Sequence, residues 1–157
     1  MADDDSFDRD GEPIFMALGQ HDPDVLEATD RARATLDRFR ELITTTAGDN
    51  VFHSAKLRFR DPQLSEELGE DRCCYMWVHF VTLEGDSFVG QTIQPPAGCT
   101  FLAAGQTHRF QGSDVYDWMV NEDGRLHGGY SLRVMRKHLP EDLRAAYDRY
   151  IGAMSYE

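Results

Sequence analysis

Asp117 is an acid inside an apolar run, Val115-Tyr116-Asp117-Trp118-Met119-Val120, and that setting could give it chemistry. A carboxyl among apolar neighbours has its pKa raised and can serve as a general base. His127, from the segment that follows, and His108, from the one before, are the imidazoles that could complete such a site. A small enzyme, a hydrolase for instance, would then centre on Asp117, Trp118 and His127. The structural alternative is that Asp117 accepts backbone or indole N–H bonds at the end of a sheet.

Other motifs are thin. No pair among His53, His79, His108 and His127 has an i,i+2 or HExxH spacing, so no metal site is expected. No Gly-x-Ser-x-Gly elbow marks a serine nucleophile, and nothing marks Ser131 as activated. Gly128-Gly129 lacks the Lys-Ser/Thr and helix start of a phosphate loop, so the pair reads as a bulge or close approach within a strand. No cofactor is expected. Tyr75, Trp77, Tyr116 and Trp118 could line a ligand groove, with Asp117, Gly128, Gly129 and Tyr130 completing the candidate binding set. The plainer expectation is that strand aromatics are core. Cys73, Cys74 and Cys99 form an odd set without CxxC spacing, so buried reduced thiols are expected, against a redox pair or vicinal disulfide.

The elements that must position these residues follow from periodicity. Asp22 as N-cap and Pro23 at the first helical position open a helix. Val25, Thr29, Ala32, Leu36, Phe39 and Ile43 continue it as one face of about six turns, fading at Thr44-Thr45-Thr46. Glu27 with Arg31, and Arg33 with Asp37, stand at i,i+4 on its outer side. Residues 53–59 alternate as a half-buried strand, and 61–71 read as an acidic surface loop. Residues 73–83 are apolar on both faces, which predicts a central strand covered twice. Glu84-Gly85-Asp86 turns this strand into a second one over 87–94. Shorter strands are expected near 13–16, 99–103 and 107–111. Residues 115–120 and 125–136 form a hairpin about a turn at Asn121–Gly124. In that register Asp117 faces Gly128, Tyr116 faces Gly129 and Trp118 faces His127, so that Tyr116 or Trp118 covers Gly129. Pro140-Glu141-Asp142 opens a last helix with a stripe of Leu143, Ala146, Tyr147, Tyr150, Ile151 and Met154. The fold class is α+β: one domain over 13–157, an antiparallel sheet of about five or six strands with a long N-terminal and a C-terminal helix packed against it.

The net charge is −12, and it is unevenly spread. Residues 1–30 hold ten acids against Arg9, and residues 61–71 hold five acids and no base. The rest carries 13 acids against 15 bases and is close to neutral. Residues 1–12 are expected to be an acidic mobile tail. Such a field repels nucleic acid and anionic membranes, and no stretch approaches the ~18 apolar residues of a membrane helix. The chain is therefore expected in the cytoplasm, without a nucleic-acid or membrane partner. A basic protein surface is the partner that the acidic segments favour, with solvation as the plain reading of the same charge.

Asp117-Trp118-Met119, a turn, and then Gly128-Gly129-Tyr130-Ser131-Leu132-Arg133 resemble the signature of the bacterial YegJ-like family. Ala32-Arg33-Ala34-Thr35-Leu36 with Phe39, Lys56, Met76-Trp77-Val78, Phe88 with Gly90, and Pro95-Pro96 fall in the same order, covering roughly residues 22–150. The chain departs from that pattern where the family tends to place an acid and a histidine, having Cys74 and Tyr75 there instead. The resemblance implies a compact intracellular bacterial domain and transfers no activity. The function expected is a non-catalytic binding or regulatory protein acting on a protein partner. The small enzyme is the alternative.

Overall fold

Asp22 accepts the Asp24 N–H at 2.9 Å and Pro23 follows, so the first helix starts where its cap demands, as α1 (Pro23–Ala34). The computed structural model describes residues 22–93, 95, 99 and 101–157, so the acidic segment 1–12 and the expected strand at 13–16 lie outside the described residues. The long helix is two helices. α2 (Leu36–Thr45) begins after Thr35, whose φ of −114° breaks the run. The break has a partner: the Trp118 indole Nε1 donates to the Ala32 carbonyl at 3.2 Å and to the Thr35 hydroxyl at 3.1 Å. The expected outer ion pairs also differ. Arg38 pairs with Glu41 and Arg40 with Asp37, while Arg33 donates to the Val115 carbonyl at 2.9 Å.

β1 (Val51–Arg60) alternates as its sequence requires. The acidic segment after it is not all loop. Asp61 accepts the Leu64 N–H at 3.0 Å, Pro62 takes the first helical position, and α3 (Pro62–Leu68) runs to a left-handed Gly69. Aspartate followed by proline was the overlooked helix signal. β2 (Cys73–Glu84) turns tightly into β3 (Ser87–Gln91). Only one face of β2 enters the core. Met76 and Val78 are buried, and a bulge with Phe80 at φ 54° then switches Val81 inward and leaves Phe80 58% exposed. The opposite face, with Cys73, Tyr75, Trp77 and His79, is half-buried, so the strand is not covered twice.

No strand forms among the described residues of 99–103; this stretch turns back around the buried Thr92, whose hydroxyl donates to the Ala103 carbonyl at 2.6 Å. Cys99 is bonded there to Cys74, and Cys73 remains a thiol. The expectation of three reduced cysteines is thereby corrected: two residues 25 apart in sequence meet in the fold.

β4 (Thr107–Phe110) leads through a single 3-10 turn, Gly112–Asp114, into β5 (Val115–Glu122), which pairs with β6 (Arg125–Gly128). The turn has two central residues, Asp123 and Gly124, because Glu122 faces Arg125. Consequently Val120 faces His127 and Met119 faces Gly128, a register different from the expected one. The strand also ends earlier than expected. Gly128 and Gly129, at φ 70° and 63°, turn the chain into α4 (Tyr130–His138). α5 (Glu141–Ile151) follows, with Tyr147 buried but Tyr150 and Met154 exposed, so its apolar stripe is only partly covered. β7 (Ser155–Tyr156) closes the sheet in parallel with β6.

Among the described residues seven strands lie in the order β4-β3-β2-β1-β5-β6-β7, antiparallel except for the last pair, which is an α+β architecture with more strands than expected. α1 and α2 pack on one face, against β5 and β2. Between these layers Phe39 stacks on Trp118 at 5.1 Å and on Phe88 at 5.5 Å, and Phe88 on Phe110 at 5.3 Å. Among the described residues no helix is long and apolar enough to cross a membrane.

The covered glycine is Gly128. A Cβ there would stand 2.4 Å from the Trp118 carbonyl oxygen and 2.7 Å from its indole ring. Gly128→Ala should therefore cost roughly 2–4 kcal/mol, combining left-handed strain with overpacking. Gly69→Ala is the control, since Gly69 has φ 69° and nothing within 4 Å of its would-be Cβ. It should show the backbone part alone, about 1–2 kcal/mol. Urea midpoints measure both; equal losses would mean that Trp118 is not what demands glycine.

Candidate functional site

Asp117 is wholly buried. One carboxylate oxygen accepts the Trp118 N–H at 2.8 Å and the Tyr130 N–H at 3.1 Å. The other accepts the Ser131 N–H at 2.8 Å and the Ser131 hydroxyl at 2.5 Å. Two acceptor positions per oxygen is the full capacity of a carboxylate. The helix α4 has no side-chain cap from its own N-cap residue, Gly129, and Asp117 supplies that cap from β5. Burial pushes the Asp117 carboxyl above its ordinary value, and the donors from Ser131, Trp118 and Tyr130 act against that push.

Residues separated in sequence meet around this carboxylate. Lys56 faces Trp77 in the β1–β2 ladder and Asp117 in the β1–β5 ladder. Burial lowers the Lys56 ammonium and the Asp117 charge pulls it back up. Lys56 and Ser131 were not among the candidate site residues. The signal for Lys56 was its rarity, since Lys137 is the only other lysine. For Ser131 the linear sequence carries no such signal, because its partner Asp117 is 14 residues away.

The remaining candidates divide. Trp118 is core, and Tyr130 crosses it edge-on at 6.0 Å. Gly128 and Gly129 form the turn beneath them. Trp77 is half-buried beside Lys56. Tyr116 is displaced by a bulge in β5; its ring meets Tyr75 edge-on at 5.2 Å and lies under Arg33 at 4.9 Å. Neither imidazole joins Asp117, whose hydrogen bonds all go to Trp118, Tyr130 and Ser131. His127 stands 3.5 Å from the Glu122 carboxylate. His108 packs on Phe59 at 4.9 Å, in a cleft with Arg58, Asp114 and Tyr116. As arranged, both Asp117 oxygens are occupied by donors from within the fold, the Trp118 N–H of β5 and the Tyr130 and Ser131 groups of α4.

For a metal, Asp22, Asp24 and His138 bring one ligand atom each within 4.8 Å of one another. Their contacts are those of a helix cap and an ion pair, with His138 2.9 Å from Asp24.

The chain belongs to the DUF2314 family, described as an uncharacterized protein conserved in bacteria, whose family model matches residues 22–154. A Neisseria meningitidis serogroup B protein named for ankyrin repeats is 27% identical over 148 residues, 90% of this chain and 56% of that protein. The chain thus spans little more than half the length of that relative. The Escherichia coli K12 protein YegJ is 23% identical over 128 residues, 81% of this chain and 77% of its own length. The YegJ-like resemblance in the signature residues therefore holds across the domain. No solved structure matches.

Asp117→Asn would set an NH2 group against N–H donors and should destabilise the domain by about 1–3 kcal/mol, whereas Ser131→Ala should cost about 1 kcal/mol. Thermal unfolding decides; unchanged or raised stability in Asp117→Asn would overturn the structural role. The histidines set a pH dependence. Burial lowers His79, which contacts the Ser54 hydroxyl at 2.8 Å, and also His53, where a hydrogen bond to the Leu42 backbone opposes it. The unfolded chain then binds protons that the folded one resists, so stability should fall as pH drops below about 6.5. His79→Asn should flatten that slope in urea titrations across the window; an identical slope would remove His79 from the account.

Proposed function

We propose that this DUF2314 protein is a non-catalytic, cytoplasmic binding or regulatory domain acting on a protein partner with a basic surface. What carries the reading is α3. Leu64 and Leu68, 40% and 50% exposed, lie four residues apart and so on one side of the helix. Glu67 flanks them, exposed and without an ion pair among the described residues; Glu66, also exposed, projects from the opposite side of the helix, and Glu70 and Asp71 are already held by Arg72 and Arg60. An apolar contact rimmed by uncompensated charge is the anatomy of a polar-rimmed protein interface. The saturated Asp117 carboxylate supports the same side of the argument, because the best acid in the sequence is occupied by backbone. The alternative, a small hydrolase around Asp117, Trp118 and His127, draws no support from a hydrogen bond between Asp117 and an imidazole. The net charge of −12 speaks against nucleic acid. In the cytoplasm the Cys74–Cys99 bond would face a reducing thiol pool, so the reading does not depend on that bond.

The test uses a partner recovered by affinity purification from the native bacterium and then purified. Glu66→Gln with Glu67→Gln should slow its association at low salt and flatten the salt dependence. Leu64→Ser with Leu68→Ser should speed dissociation. If neither pair of substitutions changes the kinetics, α3 is not the binding surface and the proposal fails.

A further inference from the structure

A second surface, independent of α3, lies between α1 and α4. A cleft of about 220 Å³ there is lined by Glu27, Arg31, Tyr130, Arg133 and Lys137, with Asp24 at its end. Its cations are unevenly served. Asp24 takes His138 at 2.9 Å and Lys137 at 3.8 Å. The Arg31 guanidinium has no ion pair or hydrogen bond among the described residues, although Glu27 stands one turn before it; the guanidinium lies 4.7 Å from the centre of the Tyr130 ring.

Arg133 is held differently. Its Nε donates to the Gly128 carbonyl at 2.8 Å, and one terminal nitrogen donates to Leu126 and Glu157 carbonyls at 3.2 and 2.5 Å. Three of its five N–H groups are thereby spent on backbone, which fixes the fork in place and leaves the other terminal nitrogen open. Its Cζ is 5.9 Å from the same Tyr130 ring. No side-chain carboxylate pairs with Arg133 among the described residues. Burial lowers its pKa and the neighbouring Arg31 charge lowers it further, against the pull of Tyr130, Tyr156 and Asp117. Two guanidiniums thus approach one ring and line one cleft, and neither is paired with a side-chain carboxylate among the described residues.

We infer that this cleft binds a compact oxyanion, a small carboxylate or phosphate, held by the Arg31 and Arg133 guanidiniums. Guanidinium forks match the oxygens of both groups. The acidic field of the protein disfavours anions generally, so an anion retained here is retained by local contacts. Asp24 and Glu27 at the wall admit a ligand small enough to keep its negative end at the arginines.

NMR titration of the full chain at constant ionic strength, with inorganic phosphate in one series and succinate in another, tests this. Saturable shifts at the Arg31 and Arg133 Nε–H signals and the Tyr130 amide are expected with at least one anion, and the responding series tells phosphate from carboxylate. Arg31→Gln, at an exposed position, should weaken that binding by about tenfold or more. Arg38→Gln, an equal charge change on α2, should leave it unaltered. Absence of a saturable response to both anions at millimolar concentration overturns the inference. So does equal affinity in wild type and Arg31→Gln, or equal weakening by Arg38→Gln.

Discussion

The carboxylate of Asp117 at the beginning of α4 is the contact on which the rest of this structure depends. A helix start leaves N–H groups without intrahelical acceptors, and α4 leaves its first turn under Gly129, which has no side chain to offer. Asp117 reaches across from β5 and accepts both Tyr130 and Ser131 backbone N–H groups. In doing so it ties the central sheet to the C-terminal part of the chain. The neighbouring Trp118 makes the reciprocal tie on the other side, its indole donating into the break between α1 and α2. Two adjacent residues of one strand thus lock helices from both ends of the described chain.

That arrangement accounts for the signature as architecture. Gly128 is small because the Trp118 carbonyl and ring occupy the space a Cβ would need. Lys56, Trp77 and Asp117 align because β1 lies between β2 and β5 in the sheet. Apolar packing then surrounds the polar knot, with Phe39, Phe88 and Phe110 extending the aromatic stack away from Trp118. A buried carboxylate costs stability unless its donors are all in place, and here they are.

With Asp117 hydrogen-bonded within the fold, the groups on which the two proposals rest lie at the periphery. The leucines and glutamates of α3 stand out from the β1–β2 connection. The arginines beside Tyr130 stand over the α1–α4 cleft. Both are built on helices, and neither requires Asp117 to move. They are also opposite in charge.

Local pattern in the sequence determined a good part of this fold. Asp22-Pro23 began α1, alternation marked β1, Glu84-Gly85-Asp86 turned β2 into β3, and Pro140-Glu141-Asp142 opened α5. Each depends on neighbours within a few residues, so each was legible. Family membership was legible too, because Asp117-Trp118-Met119 and Gly128–Arg133 are linear motifs. The tertiary structure decided the rest. The helix at Tyr130 takes its cap from a residue 13 positions earlier, the break at Thr35 answers an indole 83 positions later, and Cys74 finds Cys99 across a folded loop. Arg31, read as a partner for Glu27, and Arg133, read as part of the signature, share a ring only because α1 and α4 pack together. In each case the partner that satisfies the group is distant in the chain, and no local periodicity encodes a distant hydrogen bond or charge.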